Sequence, residues 1–545
     1  MESKIFGNTN KNPIIIELTR IFNAIFAPKK DTEDTLFEKG TSANSIQQKG
    51  TGATASGINS IATGGDNLQG GSPASGEELI YAKAEGYAAH AEGAAHAIGR
   101  YSHAEGGGDS IVKGFKTVPT AEGAYSHAEG SHTYAKGSRS HAEGLLTEAL
   151  GDGSHSEGYK TKASNANDHA EGLQTIAEGW GSHAEGELSE ASAARSHAEG
   201  YNTKTGGSDT TNSRATGTVA GGYSHTEGNA SIANGQAAHA EGTKTLASNH
   251  SSHAEGNNTV ANGLQSHAEG LSTISSGQRS HAEGANSQAT GSFSHAENRT
   301  TIAQGHSSHA EGYQTVAGTD AKQAANNDAT AGYFTHAEGN GTRAYGNSSH
   351  AEGKNTQADG NISHAEGSST TASGMNSHAE GDNTKASGEN SHAEGLITTS
   401  SGYCSHAEGN NTKASGENSH AEGDHTTANR NSSHAEGSST TSSGYCSHAE
   451  GCGNIAQNES EHAEGRYNKS NKASDDYGNA GNTQHSVGIG TLFERKNAIE
   501  IMQNGEIYII GVGGYNGTNP TANVNSLQKV LEGLGVTIDW TILNK

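Results

Sequence analysis

A histidine followed two residues later by a glutamate recurs along most of this 545-residue chain. In one copy, residues 377–381 have the sequence Ser-His-Ala-Glu-Gly, and the pair is His378 and Glu380. An imidazole beside a carboxylate is the arrangement of a general base with its orienting partner. Histidine is also a common metal ligand. The pair therefore raises three interpretations: a catalytic site, a metal site, or a structural element.

The repetition of the pair decides between these interpretations. The next copies are His392 with Glu394 and His406 with Glu408, at steps of fourteen residues. Of the 31 histidines, 25 share this register between His90 and His462. The histidines outside it are His96, His132, His250, His306, His425 and His485. Catalysis needs a distinctive pocket, so we predict no enzymatic activity and no cofactor. No separate metal spacing such as His-x₃-His occurs, so we assign no metal site, and a metal held by three copies at a three-fold axis stays an alternative.

The favoured interpretation is structural, with histidines and glutamates stacked as hydrogen-bonded ladders up a repeating fold. Stacked glutamates alone would repel one another at a spacing of about 4.8 Å, and interleaved histidines would relieve that repulsion. This interpretation predicts that the protein loosens in acid, because the glutamates become protonated and the pairs lose charge.

The residues around the pair alternate in character. Ser377, Ala379 and Gly381 fall on one face of an extended segment, and His378 and Glu380 fall on the other. A second short run has Thr384, Ala386 and Gly388 on one face, opposite Lys385 and Ser387. Fourteen residues cannot hold two strands and a helix, so each repeat is predicted to be one flattened coil with two strands and two tight turns.

Stacking such coils in register predicts an all-β solenoid with a very thin interior of Ala, Ser, Thr and Gly. The spacing allows about 25 coils, and at about 4.8 Å per coil the rod would be roughly 120–130 Å long. The step is broken between His103 and His127, between His309 and His336, and between His197 and His225. The first two breaks predict insertions that leave as loops, and the third is either one worn coil or a loop.

The bulk composition agrees with a repeat rather than with several globular domains. Hydrophobic residues are 30%, aromatic residues are 5%, and 77 positions are glycine, which is too little bulky apolar material for ordinary cores. The net charge of −26 argues against nucleic acid or an anionic membrane as a partner. The sequence contains no run of about 18 apolar residues, so we predict no membrane insertion. We also expect no signal peptide.

Residues 1–40 differ from the rest and are predicted to form a short helix that anchors the protein or nucleates a trimer. Asn12 and Pro13 suit the cap and first position of that helix, which must end before Pro28. Four of its apolar residues, at steps of four, three and four, follow the a/d spacing of a short coiled coil, and the two phenylalanines widen the apolar face. The apolar residues are Ile14, Leu18, Ile21, Phe22, Ile25 and Phe26. A helix packed on its own chain is the alternative.

Three further segments follow. Residues 41–83 form an irregular lead-in with degenerate repeats, in which Ile46 and Ile61 stand where histidine stands later. Residues 84–468 form the repeat shaft. Residues 469–545 form a C-terminal cap, in which residues 498–510 predict a hairpin around Asn504-Gly505 and residues 523–534 predict a short helix.

The chain has three cysteines, an odd number that cannot all form disulfides within one chain. Cys404 and Cys446 occupy the same place in two copies three repeats apart, roughly 14 Å along the axis at the strand spacing of a sheet. That separation exceeds disulfide reach within one chain. We interpret them as small buried or inter-chain groups and leave the state of Cys452 open.

The fourteen-residue coil resembles the left-handed parallel β-roll of YadA-like trimeric adhesin heads. Its Ser-His-Ala-Glu-Gly form is similar to the repeats of bacteriophage fibre and appendage proteins, and the order of residues 462–468, 485–491 and 495–505 is similar to their C-terminal ends. The resemblance implies a homotrimeric structural fibre of a phage virion, assembled in the host cytoplasm and exposed outside the cell. Other virion proteins at the N-terminus and host-surface glycans or mucin are the expected partners.

Two alternatives stay open beside the phage fibre. A bacterial surface adhesin of the YadA type would carry a secretion signal and a membrane anchor, and neither is recognised in the sequence. A self-cleaving phage appendage would carry a larger C-terminal chaperone domain, whereas about 80 residues follow the last repeat. Whether the fibre would sit on head, collar or tail is not decided by the sequence.

Overall fold

The computed structural model describes residues 37–49, 52–64, 81–107, 118–206, 222–318, 332–510, 524–526 and 535. They belong to two compact units, Met1–Glu187 and Leu188–Lys545. The described residues of both units are all-β and contain no helix, and none of their elements is a helix that could cross a membrane. The predicted N-terminal helix, with its apolar residues from Ile14 to Phe26, lies outside the described residues.

Each coil consists of a strand that begins at the repeat histidine, which has four or five residues in most coils, and a second strand of two residues; we call them the long and the short strand. In the first unit the long strands are His90–Gly93, His103–Gly106, His127–Ser131, His141–Leu145, His155–Tyr159, His169–Leu173 and His183–Glu187. The short strands are Thr54–Ala55, Lys83–Ala84, His96–Ala97, Thr120–Ala121, Tyr134–Ala135, Glu148–Ala149, Lys162–Ala163 and Ile176–Ala177.

The second unit repeats the same plan. Its long strands are His197–Tyr201, His225–Asn229, His239–Thr243, His253–Asn257, His267–Leu271, His281–Ala282, His295–Arg299, His309–Tyr313, His336–Asn340, His350–Lys354, His364–Ser368, His378–Asp382, His392–Leu396, His406–Asn410, His420–Asp424, His434–Ser438, His448–Ala449 and His462–Arg466. Its short strands are Glu190–Ala191, Lys204–Thr205, Ile232–Ala233, Leu246–Ala247, Val260–Ala261, Ile274–Ser275, Gln288–Ala289, Ile302–Ala303, Val316–Ala317, Arg343–Ala344, Gln357–Ala358, Thr371–Ala372, Lys385–Ala386, Thr399–Ser400, Lys413–Ala414, Thr427–Ala428, Thr441–Ser442 and Ile455–Ala456. The predicted solenoid of fourteen-residue coils is confirmed.

Within each unit the repeat strands pair in parallel with their copies in the neighbouring coil, so identical positions lie above one another. His378 pairs with His392, and Ala379 pairs with Ala393. The register continues across the breaks in spacing, because His103 pairs with His127 and His309 with His336. His197 likewise pairs directly with His225. These two described strands therefore belong to adjacent coils, and residues 207–221, on which the choice between a worn coil and a loop depends, lie outside the described residues.

The interior is as thin as the alternation predicts. Ala379 and Ala386 are fully buried, and Thr384 is 1% exposed. Ser377 is also buried, and its hydroxyl donates a 2.7 Å hydrogen bond to the carbonyl oxygen of Gly374 across the turn. The small inward residues let the two sheets approach, and the turn carbonyl of Gly374 accepts hydrogen bonds from both the hydroxyl and the backbone N–H of Ser377. His378 and Glu380 face outward, as predicted.

Each coil turns at two residues with a left-handed backbone, seven residues apart. Asn383 and Asn390 have φ values of 57° and 56°. Asparagine tolerates this conformation better than other residues with a side chain, because its short amide bonds locally. The same position in the next coil is held by Ile397, with φ of 58°. A β-branched residue is strained there.

Replacing Ile397 by Asn is expected to stabilise the second unit by about 1 kcal/mol, because it relieves left-handed strain at a site that is 48% exposed. The midpoint of guanidinium unfolding measures this effect. Leu396→Asn is the matched control, because Leu396 is also exposed but lies in a strand, where asparagine is disfavoured. A lower midpoint for I397N than for the unmodified chain would contradict the assignment of strain.

The first described strands of the first unit form degenerate coils. Phe37–Lys39 pairs antiparallel with Ile46–Gln48. Ile46 then pairs with Ile61, and Ile61 pairs with His90. Isoleucine therefore occupies the histidine register in these coils.

The last described strands of the second unit form a mixed sheet. Thr483–Ile489 pairs in parallel with His462–Arg466 and antiparallel with Asn497–Met502. Asn497–Met502 and Ile507–Ile510 form the predicted hairpin around Asn504-Gly505. Val524–Ser526 is a strand paired with Ile507–Ile510, so the predicted helix over residues 523–534 is wrong at these residues. The edge of the hairpin supplies backbone partners there, which outweighs helical periodicity; residues 527–534 lie outside the described residues.

Two of the cysteines also differ from the prediction. Cys404 and Cys446 are free and exposed, and Cys452 is free and partly exposed. The interpretation of Cys404 and Cys446 as buried groups is therefore wrong, because both occupy left-handed turn positions outside the thin interior. An inter-chain role for them stays a prediction.

Candidate functional site: the histidine column

The repeat histidines of each unit form a stack of parallel rings, which we call the histidine column. In the first unit it runs from His90 to His183, with ring centroids 4.5–4.8 Å apart and planes within 10°. In the second unit it includes the pairs His378–His392 and His392–His406, at 4.8 and 4.7 Å. The strand ladder imposes this spacing, since parallel strands place identical side chains one strand apart.

The column of the second unit extends one residue beyond the predicted register. His485 pairs with His462 in the sheet, and its ring stacks on that of His462 at 5.0 Å. Sequence spacing missed His485 because it lies 23 positions after His462, whereas the repeat step is fourteen. The signal that could have found it is the local sequence, in which small and outward residues alternate around His485 as they do in the repeat.

The glutamates lie beside the histidines without forming the predicted hydrogen-bonded ladder. The Nε2 atom of His392 is 3.5 Å from Oε2 of Glu394, and that of His406 is 3.6 Å from Oε2 of Glu408. Across the column such separations run from 3.3 to 3.9 Å. The Nε2 atoms of His378, His392 and His406 are buried and make no hydrogen bond within the described part of the chain. Ring stacking therefore replaces most of the hydrogen bonding predicted for the ladder.

Carboxylates also reach toward the following coil. Oε1 of Glu450 lies 3.4 Å from Nε2 of His462, which belongs to the next coil. Oε1 of Glu464 has the same separation from Nε2 of His485. A glutamate can thus approach an imidazole of its own coil or of its neighbour.

Burial and mutual repulsion disfavour the protonated form of several column histidines. Burial lowers the pKa of His378 and His392, and the neighbouring rings lower it further, while the nearby glutamates oppose the effect. The pKa falls to about 4 at His267 and at His434. At these positions the neutral imidazole is favoured at pH 7, with carboxylates alongside.

Glu461 replaces the leading serine of the last full coil and is fully buried. Its Oε2 atom accepts hydrogen bonds from the backbone N–H groups of Gln457 and Asn458, both at 2.9 Å, and from the Ser470 hydroxyl at 2.8 Å. The side-chain amide of Asn458 donates a fourth hydrogen bond to the same oxygen, at 2.8 Å. Burial raises the pKa of Glu461 to about 7. Asp168, at the same position in the first unit, has its pKa raised to about 6 by burial.

Glu461→Gln is expected to stabilise the end of the second unit at pH 8 but not at pH 4.5. The folded state holds the Glu461 proton more tightly than the unfolded state, so its contribution falls as pH rises from about 4.5 to about 7. Glutamine keeps the accepting oxygen without the charge. Hydrogen exchange of amides 454–471 should slow by about tenfold or more at pH 8, and equal exchange in both chains at pH 8 would contradict a charged, buried Glu461.

Aromatic side chains line the turns at one edge of the coils. Tyr101 and Tyr125 are exposed and stack at 5.0 Å. Tyr87 meets Tyr101 edge-on at 5.4 Å, and the Arg100 guanidinium lies 5.3 Å from the Tyr87 ring centre. The sequence analysis did not single out these residues, because the insertion between Tyr101 and Tyr125 hides their common register.

A comparison with models of known protein families found no match, and a comparison with curated proteins found none at significant similarity. Assignment of a function therefore depends on the fold and on the histidine column of each unit.

Proposed function

We propose that this protein is a structural fibre of a bacteriophage virion and that three copies form it. The observation that supports the proposal best is the strict parallel register of the coils, in which each position recurs on the same face throughout a unit. Such stacking gives a long, uniform and locally stabilised surface, which suits a spacer. The resemblance of the repeats to phage appendages supports the virion as its location.

The trimer has a direct test. Multi-angle light scattering of the full chain should give a mass three times the 55.6 kDa of one chain. A mass of 55.6 kDa across the micromolar range would overturn the trimer.

Immunogold electron microscopy tests the location separately. Antibody against residues 332–466 should label phage particles, and the site of the label separates a head from a tail fibre. Label on the bacterial envelope alone would favour the surface adhesin instead.

The N-terminal segment is the proposed attachment to other virion proteins. Removing residues 1–36 should leave the solenoid folded but abolish its incorporation into particles. Normal incorporation of this shortened chain would overturn the assignment.

Host-surface glycans are the proposed external ligand, and the exposed tyrosines of the first unit support this assignment. Aromatic rings with a polar tip suit a surface that is partly apolar and partly wet. Tyr101→Ala with Tyr125→Ala should lower binding to host-cell glycans by at least tenfold, and Tyr403→Ala with Tyr445→Ala in the second unit is the matched control. Equal loss in both variants would count against a specific site.

A further inference from the structure

Adjacent coils bring two imidazole nitrogens and one carboxylate oxygen together. In the first unit, ligand atoms of His127, Glu129 and His141 all lie within 4.8 Å of one another. His141, Glu143 and His155 form the next such set. Imidazole nitrogen and carboxylate oxygen are the donors that Zn²⁺ and related divalent transition metals use in proteins.

These donors are available to a ligand. The Nε2 atoms of His127, His141 and His155 make no hydrogen bond within the described residues. The nearest carboxylate oxygens stand 3.8–3.9 Å from them, and 3.3 Å separates the corresponding atoms of His169 and Glu171. Two ligands bound tetrahedrally to zinc at about 2.1 Å lie roughly 3.4 Å apart. The nitrogen–oxygen separations therefore need only small adjustments.

The separation between the two imidazoles needs a larger adjustment. The rings of His127 and His141 are 4.7 Å apart and parallel within 1°. Binding both to one ion requires their Nε2 atoms to approach to roughly 3.4 Å, so the rings must lean toward one another. A ring that leans toward one neighbour leans away from the other, so a given histidine serves a single ion.

Charge balance also favours one ion for every two coils. Two coils contribute two glutamates, whose charges balance one divalent ion, whereas an ion in every interval would place dications one strand spacing apart. We propose that the histidine column of each unit binds divalent transition-metal ions of the zinc type between paired coils, through two histidines and one or both glutamates, at one ion per two coils. The proposal concerns this chain's own residues and does not depend on the proposed virion location.

Zinc titration of the full chain tests the proposal. Protein stripped with EDTA is dialysed against Zn²⁺ at pH 7.5 in 150 mM NaCl with excess Mg²⁺, which occupies non-specific acidic sites. With 25 histidines in register taken two at a time, the zinc content should approach about twelve ions per chain. Co²⁺ should give the intense visible absorption of tetrahedral coordination. One or two ions per chain, or only weak octahedral cobalt bands, would overturn the proposal.

Substitutions locate the ions. Glu366→Gln, Glu380→Gln and Glu394→Gln together should remove at least one ion per chain and lower the cobalt absorption in proportion. The matched control is Glu389→Gln, Glu417→Gln and Glu459→Gln, which removes three carboxylates from exposed turns. A second variant, His364→Gln, His378→Gln and His392→Gln, should lose at least as much metal as the first. Equal metal content in all three variants, each checked for native circular dichroism, would show binding outside the column and overturn the proposal.

Discussion

Lowering the pH from 7.5 to 4.5, with EDTA present, is expected to reduce the melting temperature of this protein by roughly 10 °C or more. Protonation of stacked histidines would place positive charges at the ring spacing of 4.7–4.8 Å found from His378 to His406. Many such groups act together, so a small effect at each coil adds up along a unit. Differential scanning calorimetry across this pH range measures the change.

The sign follows from where the protons bind. Unfolded histidines titrate near pH 6.5, whereas burial lowers the folded pKa of column histidines such as His378 and His392, and the pKa reaches about 4 at His267 and His434. Between these values the unfolded state binds more protons, so stability is complete above pH 6.5 and is lost as pH falls through the folded pKa. The sequence analysis assigned loosening in acid to glutamate protonation, and the stacked rings supply a second cause.

Histidine variants separate the two causes. His378→Gln, His392→Gln and His406→Gln together should weaken the acid dependence, because burial lowers the pKa of all three histidines. The control is His250→Gln with His306→Gln, because both histidines lie in turns outside the column. A melting temperature that stays constant between pH 7.5 and 4.5 would contradict the proposed electrostatics of the column.

Gly381→Ala is expected to destabilise the second unit by about 3 kcal/mol or more, because two costs combine at this residue. Gly381 has φ of 111°, which alanine disfavours. An added Cβ would also lie 2.1 Å from the carbonyl oxygen of Gly395 in the next coil. No rotamer relieves contact with a backbone oxygen, so the strand ladder would have to separate. Guanidinium unfolding and hydrogen exchange of residues 378–396 measure the effect.

One coil of the chain has a residue with a side chain at the repeat position of Gly381. Asn298 stands where the repeat has glycine, with φ of 79°. Asn298→Gly should therefore stabilise the second unit, and Asp382→Ala, in an exposed strand position, should change stability little. Unchanged stability in G381A would show that the coils tolerate a side chain at this contact.

The sequence by itself determined the coil and its two faces. Ala379 and Ala386 alternate with His378 and Lys385, and a period of two places them on opposite sides of a strand regardless of the rest of the chain. The substitution of Ile46 and Ile61 into the histidine register and the hairpin at Asn504-Gly505 follow from equally local patterns. These features depend on neighbouring residues only, so sequence spacing was sufficient to predict them.

Only the tertiary structure decided what the outward side chains do. The stacking of His392 on His406, the hydrogen-bonding of Glu461 and the addition of His485 to the column depend on the distance between coils, which no single repeat encodes. The strand at Val524–Ser526 likewise depends on a free sheet edge at Ile507–Ile510. Spacing within a coil is a property of the covalent chain, whereas contacts between coils arise when backbone hydrogen bonds fix the coils about one strand width apart.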